Sequence, residues 1–145
     1  MGCIEGRVSI QYFSQIGKPP PPASQKAGPY SNFAFKCHRH KKADNSSDVY
    51  SVNVIAFNKY NTLLTGGSDG CMTVWCKDTR SSVISYPKYK SQMPITAATY
   101  NSQATHLFYA LSYDWSMGQE YAQKYNGCKI MLRPVPDSEI RKAKK

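Results

Sequence analysis

The residues with the most chemical potential in this 145-residue chain are Cys37-His38-Arg39-His40, with Cys71 and Cys76 further on and His106, Ser112 and Asp114 later still. Zinc modules supply their ligands from paired Cys or His at short fixed spacings. The spacings here match none of them, and neighbouring residues on a strand point to opposite faces. No metal and no other cofactor is expected. Catalysis is not expected either: there is no nucleophile elbow, phosphate loop or carboxylate pair, so His106, Ser112 and Asp114 stand as scattered polar residues. Asp69 and Asp114 fit hairpin positions, where a carboxylate accepts from local backbone amides.

Charge points towards binding. Lys and Arg number 19 against 9 Asp and Glu, a formal +10, which suits an acidic partner. The basic residues gather in a run at His38 to Lys42 and in a tail, Arg141-Lys142-Ala143-Lys144-Lys145. Such runs attract phosphates but also serve simply as solvated surface. The five cysteines are an odd number without a disulfide framework, so a reducing compartment is expected, cytosol or nucleus. No apolar stretch approaches the roughly 18 residues of a membrane helix, and membrane insertion is not expected. Nor is a signal peptide read at the start. The opening Met-Gly-Cys lacks the Ser or Thr that myristoylation wants at position six, where Gly6 stands.

Elements that could carry such a surface alternate at period two, which predicts an all-β chain. Residues 6–12 read as a strand, and Pro19-Pro20-Pro21-Pro22 then forces a loop. Phe33 to Cys37 resumes a strand with Phe33, Phe35 and Cys37 on one face, and residues 38–48 read as another loop. From Val52 to Phe57 an apolar run leads through a turn to Leu63-Leu64-Thr65-Gly66-Gly67, a Ser-Asp-Gly hairpin at 68–70, and a strand ending on Trp75. Ser82 to Tyr86 supplies a fourth strand. A second copy follows: Tyr100 stands 43 residues after Phe57, and Asp114 stands 45 after Asp69. That interval matches the repeat of about 40–45 residues in WD-repeat β-propeller blades. The expectation is a partial WD40 propeller of two to three four-stranded antiparallel blades and about nine strands. Residues 1–48 form an incomplete blade, 49–90 a complete one, 91–136 a last blade with an insertion at 115–127, and 137–145 a basic tail. At least four blades must close a ring, so this stretch needs something more to complete it.

Four segments carry a resemblance to one family: GCIEGRVSIQY (2–12), FAFKCHR (33–39), GGSDGCMTVW (66–75) and SYDWSMGQEY (112–121). Together they resemble the C-terminal portion of the messenger-RNA export factors, WD-repeat proteins of the nuclear pore with a close paralogue in the mitotic spindle checkpoint. The Asp-Trp-Ser-x-Gly-x-Glu run at 114–120 favours the export factors. One departure stands out: the family's Asp after the blade Trp is replaced by Cys76, although Lys77, Asp78 and Arg80 continue the pattern.

What the resemblance implies is a non-catalytic scaffold in the nucleus and at the nuclear pore, also present in cytoplasm. It would bind a short acidic helical motif of a nucleoporin and contact RNA or ribonucleoprotein. The alternatives are a spindle-checkpoint adaptor gripping checkpoint kinases at kinetochores, and a truncated product without an independent role. Arg7 is the candidate partner for a glutamate, because a guanidinium donates two parallel hydrogen bonds to a carboxylate. Phe35, Trp75, Lys77 and Arg80 form a second partner-binding set, since aromatic faces beside cations suit bases and phosphates. The competing reading has Trp75 packed between blades. Lys77, Arg80, Arg141, Lys142, Lys144 and Lys145 are the weaker nucleic-acid candidates.

Overall fold

A computed structural model of the chain describes residues 1–17, 31–88, 93–125 and 127–141. The polyproline loop and Lys142, Lys144 and Lys145 lie outside the described residues. The chain is all-β, with four antiparallel sheets and few helices. The first sheet contains β1 (Gly2–Cys3), β2 (Arg7–Ile10) and β3 (Phe33–Lys36); β4 (Arg39–Lys41) and β5 (Ser47–Val49) pair as a hairpin. A four-stranded sheet follows in the order β6 (Val52–Phe57), β7 (Thr62–Gly67), β8 (Met72–Cys76) and β9 (Ser81–Tyr86). The last sheet holds β10 (Ile95–Tyr100), β11 (His106–Leu111) and β12 (Lys129–Pro134). The expected fold class holds: these are the up-and-down leaflets of a partial propeller.

Twelve strands are described where about nine were expected. The additional ones are β1, β4 and β5, and each lacks the apolar alternation that sequence patterning relies on. Two residues long, β1 is fastened by backbone bonds in both directions between Met1 and Ser9. Residues 38–48 are not a plain loop. They contain β4 and most of β5, a polar hairpin closed by an Asp44 carboxylate accepting from the Ser46 N–H at 2.9 Å and by a Lys42–Asp48 ion pair at 2.6 Å. Its side chains lie largely in water, so nothing in it needed to be apolar.

The middle sheet has both faces covered, and β7 is buried along its whole length. Successive strand residues point to opposite faces, so Leu63 joins Val8, Ile10 and Cys37 in a core against the first sheet. Leu64 points the other way, into a core with Val54, Val74, Ile95, Leu107 and Leu111 against the last sheet. The two copies read in the sequence repeat in detail. Val52/Val54 on β6 and Ile95/Ala97 on β10 carry the same register shift, each at the start of the strand. Asn61 and Ala104, at matching places in the following turns, both take positive φ.

Past β12 the chain does not simply trail off. Asp137–Ile140 forms one helical turn, α1, and places Ile140 in the core with no exposure. Thr62 Oγ1 donates to the Ile140 carbonyl at 2.7 Å, and Tyr86 donates to Glu139 at 2.9 Å. Residues 115–125 of the insertion fold back on the last sheet: Tyr113 stacks on Tyr125 with ring centroids 5.2 Å apart and donates to the Gly118 carbonyl at 2.5 Å.

Candidate functional site

The second candidate set comes together along the seam between the first and middle sheets. In β3 the alternation turns Phe33 and Phe35 inward, opposite Ile10 and Val8 of β2. Phe35 meets the Trp75 ring of β8 at a centroid distance of 4.8 Å and a tilt of 48°. At its rim the Arg80 guanidinium lies 4.4 Å over the Phe33 ring and donates to Ser31 Oγ at 3.2 Å. Lys77 stands 5.8 Å from the Tyr12 ring and pairs with Asp78 at 2.9 Å. Arg80 takes φ +54 at the end of the 77–80 turn, which is how the turn delivers its side chain across to the neighbouring sheet. The result is a strip of aromatic rings edged by two cations. Each cation is held by its ring face as well as by a polar partner.

Arg7 stands apart from this strip. It is exposed at the first position of β2, opposite Lys36 of β3, while Ile10 and Phe33 mark the far end of the same ladder. Arg141 is exposed too, with its guanidinium 5.6 Å over Tyr60, so it belongs to the α1 corner and not to the strip.

His38, weighed in the sequence as a metal ligand, and Thr65, given no role there, hold the strip in place. His38, buried and in a left-handed conformation at φ +47, lies between Asp69 and Thr65. Its Nδ1 is 2.9 Å from Asp69 Oδ1, and its Nε2 is 2.9 Å from Thr65 Oγ1, which also accepts from the Trp75 indole N–H at 2.9 Å. Four side chains from three segments thus form one buried chain of hydrogen bonds, and it orients Trp75. The available signal was a histidine just ahead of a blade whose hairpin carries an aspartate. Asp69 does accept from a local amide, the Cys71 N–H at 3.0 Å, as its hairpin position suggested. Burial alone would raise its carboxyl, but the His38 bond and charge and the Cys71 N–H outweigh it and hold the pKa below the usual carboxylate range.

Asp114 fills the matching position in the last sheet and reaches back to the middle one. Its Oδ2 accepts from Asn53 Nδ2 at 3.0 Å and from the Ser68 hydroxyl, and its Oδ1 accepts from the Ser116 N–H at 3.2 Å. Burial pushes this carboxyl up as well, and the bonds from Ser68, Ser116 and Asn53 bring it below its ordinary value. Asp69, His38 and Thr65 run in the order carboxylate, imidazole, hydroxyl, but Thr65 has no exposure and its Oγ1 is taken up by the Trp75 N–H, so this hydrogen-bonded chain offers no accessible nucleophile.

Beside the His38 network a cavity of about 510 Å³ opens between β4 and the β8–β9 sheet edge, lined by Lys36, Arg39, His40, Cys71 and Tyr86 among others. Arg39 donates to the Glu5 carbonyl at 2.7 Å. Burial first, then the Asp69 carboxylate, pushes the Cys71 thiol up to about 11. The same two causes push Cys37 up to about 12. Cys76, in the place of the family's Asp, is buried at the end of β8. Burial would raise its thiol too, yet the Thr79 hydroxyl and the turn amides bring it below the ordinary thiol value.

No protein-family model matches the chain. Similarity to whole proteins is extensive. The "Poly(A)+ RNA export protein" of Schizosaccharomyces pombe is 42% identical over 142 residues, covering 97% of this chain and 36% of that protein. The "mRNA export factor GLE2" of Chaetomium thermophilum is 36% identical over the same shares. The "mRNA export factor" of Danio rerio is 41% identical over 138 residues, 92% of this chain and 34% of its own length. This chain is thus a homologue of the messenger-RNA export factors, spanning about a third of the length of those relatives.

Proposed function

We propose that the chain acts in messenger-RNA export at the nuclear pore as a non-catalytic WD-repeat scaffold. The observation that carries this reading is the similarity to export factors across nearly the whole chain. An excess of positive charge and an exposed Arg7 support an acidic helical segment of a nucleoporin as the partner. In this reading Arg7 receives a glutamate in a two-point grip. Phe35 and Trp75 give the neighbouring seam its shape, while Lys77 and Arg80 supply charge at its rim.

The test is a fluorescence-anisotropy titration of the full chain with an acidic helical nucleoporin peptide. Arg7→Ala is expected to weaken binding roughly thirtyfold, the loss of a hot-spot residue worth about 2 kcal/mol. Arg7→Lys should restore little, because an ammonium cannot reproduce the fork. Binding that is indifferent to Arg7 would remove it from the interface.

The cation-edged aromatic strip favours a second reading, contact with single-stranded RNA. Bases stack on aromatic faces while cations hold the phosphates. Retention of an RNA oligonucleotide should survive Arg7→Ala and weaken in Lys77→Ala and Arg80→Ala. The opposite pattern would leave the strip without a role in RNA contact.

A further inference from the structure

Three donor atoms gather in the cavity beside the His38 network. Asp69 commits Oδ1 to His38 and to the Cys71 N–H, which leaves Oδ2 facing His40 Nε2 at 3.4 Å. That ring nitrogen is shielded from solvent and makes no hydrogen bond. The Tyr50 ring packs edge-on against the imidazole at a centroid distance of 5.4 Å. Cys71, two residues beyond Asp69 across the hairpin, brings its sulfur to the same place. One ligand atom from each of His40, Asp69 and Cys71 lies within 4.8 Å of the others.

We propose that His40, Asp69 and Cys71 form a zinc site whose fourth position opens into the cavity. Imidazole with thiolate is too soft a donor set for calcium or magnesium and suits zinc. Around tetrahedral zinc, bonds of about 2.0–2.3 Å put donors roughly 3.3–3.8 Å apart, so closure needs a contraction of about 1 Å. His40, with 44% of its side chain exposed on the β4–β5 hairpin, is the ligand free to move. On binding, the Cys71 S–H gives up its proton to solvent and the sulfur bonds the metal. Carboxylate and thiolate together then balance the two positive charges of the ion. Lys36, Arg39 and Lys41 also line the cavity, and Lys88 acts on Cys71 from nearby. Arg39 is turned onto Glu5. Neighbouring cations lower the affinity, and the two anionic ligands have to overcome them.

The sequence reading weighed His40 and Cys71 as zinc ligands and set them aside because their spacing fits no zinc module, with Asp69 given to its hairpin. The three donors come from one hairpin and from alternate positions of another.

The test is titration of the reduced full chain with Co²⁺ as a spectroscopic stand-in, followed by competition with Zn²⁺. The expected result is one equivalent of tetrahedral cobalt with a thiolate-to-metal absorption band that zinc displaces. Cys71→Ser should abolish the band, and His40→Ala should weaken binding by about 10–100-fold or more, at least the loss seen on removing a supporting partner. A variant with Cys3→Ser and Cys128→Ser, both exposed thiols, should keep the band. His40 lies on the half-exposed hairpin, outside the His38 network, so its variant remains informative if Cys71→Ser fails to fold. Absence of the band, its persistence in Cys71→Ser, His40→Ala binding as tightly as the parent, or loss with Cys3 and Cys128 would each overturn the assignment.

Discussion

Asp114 shows how much one side chain can join. It belongs to the last sheet, yet it accepts from Asn53 and Ser68 of the middle one. Its carboxyl is held below the ordinary range, so its protons bind more readily to the unfolded chain. The stabilising contribution is therefore complete above the unfolded carboxylate pKa of about 3.9 and is lost as pH falls through the lower folded value. Asp114→Asn should make thermal unfolding less sensitive to acid below about pH 4 than in the parent, at some loss of stability near neutrality. Gly67 is a second constrained residue. A Cβ there would lie 2.6 Å from His38 Nδ1 and 2.7 Å from the Ser51 carbonyl oxygen. Gly67→Ala should cost about 1–3 kcal/mol or more in denaturant unfolding, because His38 is fixed at both ring nitrogens and cannot step aside.

At the level of elements, β7 is the strand on which both cores depend. Leu63 and Leu64 are adjacent, fully buried and directed to opposite sheets. Leu63→Ala and Leu64→Ala should each cost about 2–5 kcal/mol. Each should also move fluorescence from Trp75 and loss of β circular dichroism together, since neither core can open without disturbing the shared strand. Separate transitions for the two probes would show that the sheets unfold independently. The α1 turn deserves the same treatment. Ile140→Ala should destabilise by a similar 2–5 kcal/mol, whereas a solvated tail would show almost no effect.

For the molecule as a whole, the sheets form an open stack, and the last of them presents Phe108, Ile130 and Leu132 on one exposed face. Charge is the other global property. Under the proposed RNA contact, a formal +10 should make retention fall steeply as salt rises, with each phosphate-contacting cation adding about 0.7 to the logarithmic slope for a single strand. Lys77→Ala should reduce that slope by about one such increment; an unchanged slope would place Lys77 outside the phosphate path.

Much of this architecture could be read from the residues in order. Phe57 and Tyr100 close equivalent strands, Asp69 and Asp114 occupy equivalent corners, and the apolar alternation announced every long strand, because a blade covered on its faces must repeat its pattern at a fixed interval. Proximity in the chain also revealed the Asp69 amide bond. What patterning could not supply was the polar hairpin at 39–49, the docking of Ile140, and the junction of His38 with Asp69, Thr65 and Trp75. Those depend on partners distant in sequence whose side chains carry no periodic signal. Only packing one sheet against the next brings them within bonding distance, and the same packing decides that His40 faces Asp69 and Cys71.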